Sequence, residues 1–114
     1  MYIEKRVIRY LKSLKPSDTK SANLIVSDFE HISNNGGSAY ILEDRHEGVL
    51  NMTIASFEGK ILEGKLGKHR VYIVLKGPKV CVCYAYYKQD TTVKKQEREQ
   101  IIKAAKVILS DPNI

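Results

Sequence analysis

Cysteine is scarce in this chain. The 114 residues hold two, Cys81 and Cys83, separated by one position in a single apolar run. On a strand they point to the same face, too far apart to bridge each other without distortion. Nothing here demands an oxidising compartment, so the cytosol is the default location. A zinc site needs more ligands than these, and the three histidines are scattered. Both cysteines read as small apolar fillers. Long apolar runs are missing too, and none approaches the length of a membrane span. The opening MYIEKRVIRYLKSL sets charges among its apolar residues, unlike a secretory signal. Repeats, low-complexity tracts and internal linkers are absent. What remains is one domain over residues 1–114, with the 43% apolar and 28% charged content of a soluble globular protein. That length buries an ordinary core without staples.

The net charge of +6 is unevenly placed. From Lys60 to Lys106 there are 12 Lys/Arg against 4 Asp/Glu; the rest holds 7 against 9. Such an excess is the footprint of a surface for polyanions. It suits an acidic protein partner equally well.

Ile3, Val7, Ile8, Leu11 and Leu14 recur at helical spacing and predict a helix from Glu4 to Lys15 with a basic outer face. Pro16 ends it. Ser17 or Asp18 caps a second helix with the stripe Ala22, Ile25, Val26, Phe29 and Ile32, stopped at Asn34–Gly37. SAYIL reads as a short strand, EDRHEG as an exposed loop with a surface His46, and VLNMTIAS as an alternating segment. A last helix covers residues 94–109, capped by Thr91 or Thr92, with Ile101, Ile102, Ala105, Ile108 and Leu109 inward.

The most informative stretch is KILEGKLGKHRVYIVLKGPKVCVCYAYYK, residues 60–88. It reads as three strands joined at Gly67-Lys68 and Gly77-Pro78; the second corner also admits a type I turn. With two-residue loops, Lys65 pairs with Arg70, Ile73 with Val82, and Tyr72 with Cys83. Alternation then puts Leu62, Leu66, Val71, Ile73, Leu75, Val80, Val82 and Tyr84 on a core face. Lys65, Arg70, Tyr72, Ala85 and Tyr87 share the other. Two cations directly opposite each other repel. A face that accepts this cost and adds two tyrosines suits an anion that stacks, such as RNA. Charge alone favours the plainer reading of two solvated residues beside a sharp turn.

LEGKLGKHRVYIVL and VCVCYAYYKQDTT…REQIIKAAKVIL resemble the C-terminal half of the RelE/ParE toxin superfamily, above all its HigB-like branch of ribosome-dependent mRNA interferases. The resemblance spans about residues 59–109. It implies an α+β fold with two N-terminal helices packed on a twisted antiparallel sheet, followed by a C-terminal helix. It implies a metal- and cofactor-free endoribonuclease in which the 2′-hydroxyl of the RNA attacks the adjacent phosphate. The partners implied are a cognate antitoxin, the ribosome and mRNA.

By position, Arg70 clamps the scissile phosphate, a task suited to a planar guanidinium. Lys65 shares it, and Tyr87 and Lys88 fall at the catalytic end of the last strand. His69 is placed to move a proton near neutral pH, although the register turns it to the opposite face. Lys60, Lys68, Tyr72, Lys94 and Lys95 complete the expected RNA contacts. The chain departs from the pattern at its N-terminus, where helix begins almost at once, in the long segment 38–58, at Glu63-Gly64, and at Gln89 in place of a second lysine. The alternatives are a ParE-like inhibitor of DNA gyrase and a non-catalytic RNA- or protein-binding module of the same architecture.

Overall fold

Both corners of the central stretch are two-residue loops. Leu66 pairs with His69 across one and Lys76 with Lys79 across the other. Gly67 and Gly77 take φ of 59° and 60°, the left-handed region that a hairpin of this length requires of its first loop residue. Proline after Gly77 fixes a negative φ at the second loop position, which selects the type II′ form there.

A computed structural model describes residues 1–42, 48–89 and 93–114. The expectations for His46 and its loop, and for Thr91 and Thr92 as helix caps, lie outside the described residues. The elements run β1 (Tyr2–Ile3), α1 (Lys5–Leu14), α2 (Thr19–Asn34), α3 (Ser38–Leu42), β2 (Asn51–Ile54), β3 (Leu62–Leu66), β4 (His69–Lys76), β5 (Lys79–Tyr87) and α4 (Lys95–Ser110). The fold is α+β: one five-stranded sheet in the order β1-β5-β4-β3-β2, with four helices. The sheet is mixed rather than antiparallel throughout, because β1 pairs with β5 in parallel, Tyr2 beside Cys81 and Ile3 beside Val82. The chain therefore makes a short strand before its first helix. None of the described helices is long and apolar enough to cross a membrane.

The helices α1 and α2 start where side-chain oxygens meet free N–H groups. Glu4 accepts from Arg6 N–H, and Asp18 accepts from Ser21 N–H. Their apolar stripes, Val7 and Leu11 with Ile25, Phe29 and Ile32, cover Val71, Ile73, Val80 and Val82 of the sheet. SAYIL is a single helical turn, not a strand. Ser38 donates its N–H to Pro78 O and its hydroxyl to Gly77 O, so it hangs from the outside of the β4–β5 corner rather than along a sheet edge. Tyr40 then turns inward and meets His31 Nε2 at 2.8 Å.

The second face of the sheet is partly covered. Ile101, Ala105 and Ile108 of α4 pack on Tyr72, Val74, Cys81, Cys83 and Tyr84. The layers are thus two helices, the sheet, and a third helix. Lys76 secures the end of α4 by donating to the carbonyls of Ile108 and Asp111.

One irregularity changes the side-chain map. Tyr72 lies opposite Tyr84, while Ile73 lies opposite Val82. Cys83 is the extra residue of a β-bulge, and beyond it the alternation of β5 inverts. Tyr72 therefore does not pair with Cys83. Tyr84 joins the Tyr72 face instead of the Val71 face. Ala85 and Tyr87 leave the Arg70 face, and Tyr86 takes their place.

Candidate anion-binding site

Lys65 and Arg70 are Cα partners on β3 and β4, and Tyr86 is the Cα partner of Arg70 on β5. The three form one row across the sheet, at the end nearest the Gly67 turn. Directly opposite residues on neighbouring strands present their side chains to the same face. The next row is Glu63, Tyr72 and Tyr84.

The two rows are wired together. Tyr72 donates its hydroxyl to Glu63 Oε2 at 2.6 Å, and Lys65 Nζ lies 3.5 Å from Glu63 Oε1. Glu63 is enclosed at 7% exposure, whereas the Lys65 side chain is 39% exposed. Its ammonium therefore has a solvent side as well as a carboxylate side. Tyr84 Oη stands 2.7 Å from both Glu97 and Gln100 of α4; its single proton serves one of them at a time. Tyr72 and Tyr86 stack, with ring planes 18° apart and centroids 6.1 Å apart. Burial raises the phenol pKa of Tyr72, Tyr84 and Tyr86. Bonds to Glu63 and Glu97 raise the first two further, while the Tyr72 hydroxyl and the Arg70 charge partly offset the rise at Tyr86. All three remain neutral phenols at physiological pH.

Arg70 folds its guanidinium back onto the turn, where Nη1 donates to Gly67 O at 2.7 Å and His69 O at 3.0 Å. Its Nε is buried and has no partner among the described residues; the buried Tyr86 hydroxyl is in the same position. A planar guanidinium carries five N–H donors, so donors remain after the turn is satisfied.

The other sequence-derived site residues are distributed as follows. Lys68 is exposed at the tip of the same turn, and its carbonyl accepts from Lys88 N–H at 2.8 Å, which brings Lys88 to this end of the sheet. Lys94 and Lys95 are exposed at the start of α4. Lys60 is at the far end of β3, in a cleft with Leu62, Leu75 and Leu109. It lies in a turn that precedes β3 and is not part of the row. Tyr72 is fully buried. Expected as an RNA contact, it offers no face to RNA, and its role is to hold Glu63 and carry the Tyr86 ring.

His69 and Tyr87 meet on the opposite face. They are Cα partners, with rings 5.3 Å apart in an edge-to-face contact. His69 is enclosed at 5% exposure, with Nδ1 2.7 Å from Tyr10 Oη and Nε2 3.1 Å from Asp18 Oδ2. Both ring nitrogens are engaged and neither reaches the Arg70 face. The imidazole therefore cannot move protons there; it ties α1, α2 and β4 together. Tyr87 is removed from the Arg70 face by the bulge, not by burial.

Two members of the site escape a reading by residue type. Tyr86 differs from Tyr87 only through the bulge, which leaves no mark in an apolar run. Glu63 reads in the sequence as a departure from a pattern, yet it is the buried anion that holds Lys65 and Tyr72. In comparisons with known proteins, no family model, no curated protein and no solved structure matches this chain.

Proposed function

We propose that this chain is a toxin of the RelE/ParE kind, an mRNA interferase that grips the scissile phosphate with Lys65 and Arg70 and is held in check by a cognate antitoxin. The observation that carries the reading is the pairing of two cations directly across neighbouring strands, one of them with a buried donor that no described group uses. Facing cations repel, and a bound phosphate oxygen relieves that repulsion and accepts the spare donors. The α+β architecture supports the reading, with a short strand, three helices of which the third is a single turn, then β2 to β5 and a last helix, one helix more before β2 than the resemblance implies.

In the reaction, the 2′-hydroxyl of the RNA attacks the neighbouring phosphorus and the bond to the 5′-oxygen breaks. Negative charge builds on the phosphoryl oxygens, where fixed cations act most strongly. Glu63 is the acid–base group beside Lys65 on this face. It takes the 2′-hydroxyl proton once Lys65 turns to the phosphate, and Lys65 supplies one to the leaving oxygen.

The enclosure of Glu63 and His69 favours a second reading, a module of the same fold that binds RNA without cutting it. A purified translation system separates the two. Ribosome-dependent cuts within codons, abolished by Arg70→Ala in a protein that still folds, support the nuclease. RNA binding without cleavage supports the module. DNA damage without loss of mRNA assigns the chain to gyrase inhibition instead, and a normally folded Arg70→Ala protein that still arrests growth removes Arg70 from the mechanism.

A further inference from the structure

We propose that Tyr86 is a phosphate-binding residue, its hydroxyl and the Nε of Arg70 forming a pair of donors reserved for the oxygens of one RNA phosphodiester. The inference rests on the phosphate-binding reading above and adds to it a residue that no sequence pattern points to.

Folded proteins pair nearly all their buried polar atoms, so an orphan demands a reason. Among the described residues two buried side-chain atoms are orphans, Arg70 Nε and Tyr86 Oη, and they belong to residues directly opposite each other on β4 and β5. Scattered orphans would point to nothing. The two residues face each other in the row that holds Lys65, and the Tyr72 hydroxyl beside Tyr86 gives its single proton to Glu63, so the Tyr86 O–H and the Arg70 Nε–H both lack an acceptor.

The Tyr86 ring is held for this role. It stacks on Tyr72, and Tyr72 is itself fixed by its 2.6 Å bond to Glu63. The hydroxyl keeps its proton, because burial disfavours the phenolate, and so it serves as a donor. Neither orphan touches solvent while Arg70 Nη1 grips the Gly67 and His69 carbonyls. A phosphate that draws the guanidinium off the turn exchanges two neutral carbonyl acceptors for a charged one, the stronger partner.

The test uses a short single-stranded RNA with 2′-O-methyl riboses, which binds but cannot be cleaved, on the full chain at low salt. Tyr86→Phe keeps the stacked ring and deletes only the hydroxyl. Its affinity is expected to fall roughly tenfold, the weight of one hydrogen bond to a charged group. Its melting temperature is expected to hold or rise, because the free protein loses an unsatisfied buried group. Unchanged affinity in Tyr86→Phe, with loss of affinity in Arg70→Ala, overturns the role of Tyr86 and leaves the phosphate clamp standing. Unchanged affinity in Lys65→Ala and Arg70→Ala overturns both. A markedly lower melting temperature in Tyr86→Phe also overturns the proposal, since it means the hydroxyl already has a partner in the free protein.

Discussion

Asp18 and His69 are joined across 51 residues of chain: Asp18 Oδ2 lies 3.1 Å from His69 Nε2, while Oδ1 of the same carboxylate accepts the Ser21 N–H at 3.1 Å and caps α2. The far side of the imidazole holds Tyr10 of α1 at 2.7 Å. A single enclosed ring thus ties both helices to the first residue of β4. His69→Ala removes a buried ring and leaves the Tyr10 hydroxyl without its acceptor or donor. We expect unfolding in urea to show a loss of about 2–4 kcal/mol, the range for a large-to-small change plus a stranded polar group. A loss of nuclease activity with no loss of stability would instead restore His69 as a chemical group.

The same carboxylate predicts a pH dependence. The Asp18 pKa is lowered below its ordinary 3.8 by the side-chain and backbone hydrogen bonds of Ser21 and by the bond to His69. A carboxyl depressed in the folded state favours folding at every pH above its unfolded value. That contribution disappears as pH falls from about 4 through the lower folded value. Acid titration followed by circular dichroism should show a folding loss in this window. Asp18→Asn still caps a helix but carries no charge, so its melting temperature should change less between pH 5 and pH 3 than that of the parent.

Much of this fold was legible because its punctuation is local. Gly67 and Gly77 announce two-residue loops, and the cap at Asp18 and the stripe of α2 follow from spacing. The same residues mislead where the information is not local. VCVCYAYY is apolar or aromatic on both faces, so no polar residue records that Cys83 is extra and that Tyr86, not Tyr87, accompanies Arg70. Val26 fits the α2 stripe by spacing and yet is 39% exposed, because it lines an open groove between α1 and α2 with Ile8 and Leu11. SAYIL alternates like a strand, but its backbone is tethered to the Pro78 corner, which sequence cannot foresee. The bond from Asp18 to His69 is invisible for the same reason: its partners meet only after the sheet has formed.

If Lys65 and Arg70 each neutralise a phosphate charge, their removal should be read in salt dependence as well as in affinity. Binding to single-stranded RNA releases counterions, and log K falls with log salt by roughly 0.7 per phosphate contact. Lys65→Ala is expected to flatten that slope by about this amount and to weaken binding equally across RNA sequences. Fluorescence anisotropy between low and physiological salt measures it. A weaker complex with an unchanged slope would mean that Lys65 acts through Glu63, its 3.5 Å neighbour, and not through phosphate.

The bulge yields the sharpest prediction. Substituting Cys83 by alanine trims one buried sulfur and keeps the count of β5, so it should cost only about 1 kcal/mol. Deleting Cys83 is a different change. It removes the extra residue, so Tyr84 follows Val82 directly and β5 alternates regularly, with Tyr84 still opposite Tyr72 and Tyr86 still opposite Arg70. Tyr84 keeps Glu97 and Gln100, and the loss is confined to the Cys83 contacts with the α4 core and to the local twist. The deletion variant should therefore still unfold cooperatively on heating and keep its near-ultraviolet ellipticity, as Cys83→Ala does. If Cys83 were instead a regular ladder residue, its deletion would turn every side chain beyond it to the other face. A deletion variant without cooperative unfolding, beside a well-folded Cys83→Ala, would thus show that Cys83 is paired and not extra, and the assignment of Tyr86 to the Arg70 face would lose its structural basis.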